Sequence, residues 1–339
     1  MTLTVGSLFS GIGGFDLGFE RAGMKVLWQC ENDKAAREVL HRHWPEVECY
    51  GDVRDIGAGT PAVDVLCGGF PCQDVSVAGR RAGLAGGRSG LWFEFARLLG
   101  DLAPEWVVIE NVAGLLTSNR GADFSTVLSG LVKLGYRCAW RVLDSQYFGV
   151  PQRRRRVFVV GHLGDGRAAE VLFERESGTG HNAAVDGKTE RDAAYPPDEP
   201  AWWNGRGISQ TLDAVLYKKQ AMPEKNRFPA VIVPAWTECP DCGDFWCNLH
   251  GMHAYDCPCP PVDEWAEYDL SPYAPSVLRF ITPLECERLQ AFPDGWTDFN
   301  ADGKQQSDSA RYRQLGNAIT VNVAEWIGRR MVAAQAVNS

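Results

Sequence analysis

LTVGSLFSGIGGFDLGFERAGMKVLWQCE, residues 3–31, decides how this chain begins to fold. Leu3 to Leu8 is short and apolar and reads as a strand. A glycine turn follows in Phe9-Ser-Gly-Ile-Gly-Gly14, then Phe15 to Ala22 reads as a helix and Val26 to Cys30 as a second strand. Glycines between a strand and a helix let the backbone turn sharply and let a ligand approach main-chain N–H groups. Glu31 ends the second strand twenty residues after Gly11, where a ribose-binding carboxylate belongs. Asp52 follows the next apolar segment, in Tyr-Gly-Asp-Val. A dinucleotide site or a purely structural turn would share these features. The full G-x-G-x-x-G pattern is not met, because Asp16 takes the third glycine position. The loop therefore fits a nucleoside without a pyrophosphate better, and S-adenosylmethionine is one.

The alternation continues outward from this unit. Val63 to Cys67 and Trp106 to Ile109 read as strands, and Val157 to Val160 is another short β-branched run. Leu91 to Leu99 and Phe124 to Leu134 carry apolar residues at helical spacing. Such alternation implies an α/β fold, a largely parallel sheet with helices on both faces. From Gly164 to about Pro275 the character changes to Pro, Gly, Asp and Trp with weak periodicity, and Asp186 to Pro200 is polar and proline-dense like a surface linker. Helical sequence returns at Pro283 to Ala291 and at Ile319 to Ala334. The expected organisation is one domain from residues 1–163 and 308–339, and a smaller irregular domain over 164–307.

With 339 residues, 45% hydrophobic, the chain can build a large core, and its 23% charged residues are ordinary for a globular protein. No segment reads as a signal peptide or a membrane span, so a cytoplasmic protein is expected. A net charge of -9 argues mildly against a general polyanion binder. Phosphate contact depends instead on local basic runs, here Arg80–Arg81, Arg153 to Arg156 and Lys218–Lys219. Of the 11 cysteines, Cys30, Cys49, Cys67, Cys138 and Cys286 sit singly in apolar surroundings, as buried free thiols do.

Cys72 differs. It lies in Gly68-Gly-Phe-Pro-Cys-Gln73, directly after a strand, where open α/β sheets place their chemistry. Its thiolate would be the attacking species. Flanking glycines leave room for a flat ligand, and the Gly- and Arg-rich stretch Ala78 to Gly90 suits a lid over phosphates. Glu110, in Glu110-Asn-Val112, also lies at a strand's carboxyl end, where it either delivers a proton to a heteroaromatic ring or caps the next helix.

Leu8-Phe-Ser-Gly-Ile-Gly-Gly14, Gly69-Phe-Pro-Cys-Gln73 and Glu110-Asn-Val112 resemble, in order, the signature motifs of the DNA cytosine-C5 methyltransferase family. Gln152-Arg-Arg-Arg-Arg156 satisfies that family's Gln-x-Arg-x-Arg pattern. The stretch from Thr282 to Asp294 and Gly316-Asn-Ala-Ile-Thr-Val-Asn-Val323 match its later motifs. The resemblance implies a Rossmann-like mixed sheet with a target-recognition domain, acting as a monomer on double-stranded DNA with S-adenosylmethionine. It implies that Cys72 adds to cytosine C6, and that Glu110 contacts ring N3 and the exocyclic amine. Arg156 would hold the base or the Cys72 loop, with Arg154 supporting it. Phe9, Gly11 and Gly13 would line the cofactor, Glu31 would meet the ribose, Asp52 and Val53 the adenine, Leu91 would pack nearby, and Asn317 would close the methionine end. Pro71, Gln73 and Ser76, together with Arg80 and Arg81, would face DNA. The target carbon is hidden inside a stacked duplex, so base flipping is implied.

In this family the variable segment, here about Gly164 to Leu278, reads the DNA sequence. Thr211–Leu212 resembles a Thr-Leu pair common in such regions, and Trp202, Trp203, Arg206, Lys218 and Lys219 are candidate contacts. Cys239-Pro-Asp-Cys242 is followed by Cys247, His250, His253, Cys257 and Cys259, a density of soft ligands that suits structural Zn²⁺. The first set to consider is Cys239, Cys242, Cys257 and Cys259, with the other three as alternatives. Competing readings are a transfer-RNA cytosine methyltransferase, a non-catalytic DNA-binding protein, and a folate-dependent pyrimidine methylase; Glu31 and the glycine loop disfavour the last.

Overall fold

The structure is a computed structural model. It describes residues 2–57, 59–71, 90–173 and 281–336 in full, together with the backbone of five short strands between residues 230 and 280. Cys72, Gln73, Ser76, Arg80, Arg81, Thr211, Leu212 and most of the cysteine-rich cluster lie outside the described residues.

The first body alternates β1 (Thr4–Leu8), α1 (Gly14–Arg21), β2 (Lys25–Cys30), α2 (Lys34–His43), β3 (Glu48–Tyr50), β4 (Val65–Gly68), α3 (Leu91–Leu102) and β5 (Trp106–Val112). It continues through α4 (Ala122–Lys133), β6 (Tyr136–Asp144), β7 (Arg155–Leu163) and α5 (Arg167–Leu172). Seven strands form one sheet in the order β3-β2-β1-β4-β5-β7-β6. The first five run parallel, β7 is antiparallel to both β5 and β6, and β6 therefore runs with the first five: the sheet is largely parallel, as expected, and mixed only through β7.

Strand residues alternate between two apolar layers, as a period of two requires. Trp106 and Val108 join Phe15, Phe19, Val171 and Ile327 on one face. Val107 and Ile109 join Trp92, Phe95, Val127 and Leu131 on the other. Cys30, Cys67 and Cys286 are buried free thiols as expected, while Cys49 and Cys138 are only partly covered.

After the variable region come β8 (Ala230–Pro234), β9 (Trp236–Glu238), β10 (Phe245–Cys247), β11 (Met252–His253) and β12 (Ser276–Phe280). β8 pairs with β12, and β9 to β11 form a separate three-stranded sheet. The antiparallel register sets Cys247 opposite Met252 and Trp246 opposite His253. Helices α6 (Pro283–Leu289), α7 (Asp308–Asn317) and α8 (Val321–Ala336) close the chain. Thr282 and Glu285 form a capping box at the start of α6, a device contributing about 1 kcal/mol.

Part of the stretch 281–307, expected in the smaller domain, packs on the first body. Ile281, Cys286, Leu289, Phe292 and Trp296 share a core with Ile12, Val39, Leu40 and Trp44. Trp296 also stacks on His43 and donates its indole N–H to the Ile12 carbonyl at 2.9 Å. Likewise α5 is buried in the first body through Ala168, Val171 and Leu172. Burial of large apolar side chains decides both placements, and composition did not reveal it. Among the described residues no helix is long and apolar enough to cross a membrane.

Asp16 shows what the altered glycine pattern does. In the first turn of α1 it is fully buried, and it accepts hydrogen bonds from Ser7 Oγ (3.1 Å) and Gln29 Nε2 (2.9 Å). Burial pushes its carboxyl up to about 6 against those bonds. The folded state thus holds a proton that the unfolded chain releases near pH 4, and stability falls as pH rises from about 4 through 6. Asp16→Asn should flatten that slope by about one proton in urea unfolding series between pH 4 and 7.

Candidate active site

Three segments converge where β1 and β4 end and β5 runs on past them. The register sets Leu8 of β1 beside Gly68 of β4, and Gly68 beside Ile109 of β5. The next residues, Phe9 and Gly69, leave the sheet there, and Glu110, still within β5, stands level with them. β2 and β4 flank β1 on opposite sides, so the chain leaves β1 and β4 at a switch in strand order, where open sheets form a crevice. β1 and β5 are two strand spacings apart, ~10 Å, which leaves room for two ligands side by side.

On the β1 side, Phe9, Gly11 and Gly13 have positive φ of 53°, 58° and 87°. At Gly13 a side chain would collide with the Trp44 ring, while the space a Cβ would take at Gly11 is open. Glu31 organises this turn. One carboxylate oxygen accepts the Gly11 N–H and the other the Asp33 N–H, both at 2.8 Å. Burial pushes the Glu31 pKa up. Arg37 donates to the Glu31 and Asn32 carbonyls at 2.9 and 3.2 Å and fixes the same corner. Asp52 caps the short turn Val53–Asp55 by accepting the Arg54 N–H, Val53 is buried beside it, and Leu91 packs on the neighbouring core. An open glycine turn beside a fixed carboxylate fits a ribose-bearing cofactor: Glu31 retains lone pairs for hydroxyl donors, and no phosphate-binding third glycine exists.

On the β5 side, Glu110 does not cap a helix. Its Oε1 pairs with Arg156 Nε at 2.9 Å, and both side chains are largely buried. Its other oxygen lies against the Gly69 backbone, where an added Cβ would stand 2.9 Å from Oε2. Asn111 is buried and donates Nδ2–H to the Phe70 carbonyl at 2.9 Å, tying β5 to the segment that leads into Pro71 and Cys72. Asn111→Ala should therefore lower kcat roughly tenfold and leave cofactor affinity within about twofold, by single-turnover kinetics and calorimetry. Arg156 is the second residue of β7, whose antiparallel direction brings it opposite Val112. Arg154 does not reach this pair. It is buried and grips the carbonyls of Gly316 and Ala318. Asn317 lies between those carbonyls at the exposed end of α7.

Residues 3–333 match the C-5 cytosine-specific DNA methylase family. The chain belongs to that family. It is 41% identical over 331 residues to the Type II methyltransferase M.BsuFI of Bacillus subtilis, covering 97% of this chain and 72% of that one. It is 32% identical over 336 residues to the Type II methyltransferase M2.BsuMI of Bacillus subtilis strain 168, covering 97% and 75%. The fold resembles that of the S. pombe Dnmt2 methyltransferase, with a TM-score of 0.59 at 17% identity over 99% of this chain and 100% of that one. It resembles Entamoeba histolytica EhMeth equally, with a TM-score of 0.59 at 16% identity over 100% and 99%.

This C5 methylase thus transfers a methyl group from S-adenosylmethionine to carbon 5 of cytosine in DNA. Among the described residues, the structure brings together Phe9, Gly11, Gly13 and Glu31 on one side of the crevice, and Glu110 and Arg156 on the other. Asn111, Arg37 and Trp44 escaped the sequence reading. Asn111 was in view within Glu-Asn-Val, but only the position of Phe70 reveals what it does.

Proposed function

We propose that the methylase works through a transient bond between the Cys72 thiolate and carbon 6 of a cytosine turned out of duplex DNA. The observation that carries this reading is the placement of Glu110 between Arg156 and the Gly69 backbone, three residues before Cys72. A ring entering there meets an acid for N3 on one side and the chain segment of the nucleophile on the other.

The steps follow from ordinary carbonyl-like addition. The thiolate forms a bond to C6, and Glu110 gives a proton to N3 as charge develops in the ring. C5 thereby gains enamine character and takes the methyl group. S-adenosylmethionine, when bound, supplies that group as an electrophile. A base, for which water suffices, then removes the C5 proton. The C6–S bond breaks, the thiolate is restored and Glu110 recovers its proton from N3. Arg156 orients Glu110 through the 2.9 Å pair. Glu31 holds the ribose and Asn317 the methionine end. Flipping the base costs a few kcal/mol, offset by contacts in the crevice and from the Cys72 loop.

The variable region, from about residue 174 to 280, would select the sequence, as a Type II modification enzyme requires. Its cysteines would hold Zn²⁺, supported by the spacing of Cys239, Cys242, Cys257 and Cys259. Among the described residues no group of metal ligands occurs, so this rests on the sequence alone. Elemental analysis should find about one zinc per chain; all thiols titrating free in a metal-free, folded protein would remove it.

Purified protein should methylate plasmid DNA at cytosines within one short recurring sequence, read by base-resolution sequencing. Methyl transfer to transfer RNA with none to DNA would defeat the proposal.

A further inference from the structure

The arginine between the nucleotide-handling loops does an unexpected job. Arg154 is 2% exposed and sits two residues before Arg156, yet its guanidinium bonds to main-chain carbonyls at the end of α7. Its Nη2 donates to the Ala318 carbonyl at 2.7 Å, and Nη1 and Nη2 both donate to the Gly316 carbonyl at 3.3 Å. Those carbonyls stand immediately before and after Asn317. The Gly316 carbonyl is also one of the unsatisfied acceptors at the end of α7, which favours a cation.

Other buried groups close the same arch. Gln290 Nε2 donates to the Leu315 carbonyl at 3.2 Å, Thr320 Oγ1 donates to Gln290 Oε1 at 2.7 Å, and Ser145 Oγ lies 2.8 Å from Thr320 Oγ1. Ser145 in turn donates its backbone N–H to the Arg154 carbonyl at 3.1 Å. The arch packs directly on the cofactor turn, since a Cβ on Gly14 would fall 2.7 Å from the Ile319 carbonyl oxygen. Burial and the nearby Arg156 pull the Arg154 pKa down to about 9, still cationic at neutral pH, while Glu110 opposes the shift.

We propose that Arg154 is a positioning residue for the cofactor, fixing Asn317 by gripping the carbonyls on both sides of it. The inference rests on the assignment of Asn317 to the methionine end. It separates the two arginines of one motif: Arg156 serves the base and Arg154 serves the methyl donor. A lysine keeps the charge but not the planar fork, so it cannot span both carbonyls.

Calorimetry of S-adenosylhomocysteine binding, without DNA, tests this on wild type, Arg154→Lys, Asn317→Ala and the double variant. Thermal melting establishes that each is folded, and Arg154→Gln replaces the lysine variant if that one is not. Each single change should weaken binding by ~10–100-fold, the scale of a lost hydrogen bond to a charged group. The double variant should be no weaker than the worse single, within about twofold, because Arg154 acts through Asn317. A folded Arg154 variant with wild-type affinity, or losses that multiply in the double variant, would overturn the proposal. If Asn317→Ala alone binds normally, the assignment of Asn317 and the proposal both fall. If wild type itself does not bind, the fault lies with the cofactor reading.

Discussion

Cys72→Ala should lose turnover by at least about 10⁴-fold while S-adenosylhomocysteine binding stays within about twofold of wild type. The expectation is severe because none of the described thiols can substitute. Cys67 is fully buried in β4, and burial holds its pKa well above the ordinary value. Burial also pushes Cys30 to about 12, and Cys49 and Cys138 to about 11. None of these forms an appreciable thiolate at neutral pH, and all but Cys49 and Cys138 are sealed in the core. Methyl-transfer assays with radiolabelled cofactor measure the loss, and calorimetry on the same preparation shows the cofactor pocket intact.

Glu110→Gln should cost about 10²–10⁴ in kcat with a much smaller change in DNA affinity. The amide keeps the shape of the side chain and can still accept the Arg156 Nε–H, so the site stays assembled. What it loses is the carboxyl that hands a proton to N3 and, once that proton has gone, carries the charge that pairs with Arg156. Single-turnover rates separate this from binding. An equal fall in DNA affinity and none in the chemical step would mean that Glu110 only grips the base.

The fold was legible wherever local pattern decides it. Strand β1, the glycine turn and helix α1 follow from residues 3–31 to within a residue or two. The direction of β7 was not legible, because a continuous apolar run such as Val157 to Val160 looks the same whichever way a strand runs. Helix α2 was missed although Asp33 caps it, since the charged residues of Lys34–His43 dilute its apolar stripe. The place of residues 281–307 depends on Trp296 meeting Ile12 and His43, contacts that join distant parts of the chain. The site divides in the same way. Glu31 could be placed by its distance from Gly11, and Glu110 by the strand before it. The job of Arg154 could not, because its acceptors lie 162 and 164 residues away.

A single chemical trap addresses the covalent step. Fluorine at C5 of the target cytosine cannot leave as a proton does, so the final elimination is blocked after methyl transfer. Incubating the enzyme and S-adenosylmethionine with duplex DNA carrying 5-fluorocytosine in its recognition sequence should yield a stable protein–DNA adduct. Peptide mass spectrometry should find the methylated base on the sulfur of Cys72. Turnover of unmodified DNA with no trapped adduct, or a trapped base on any other side chain, would contradict the account.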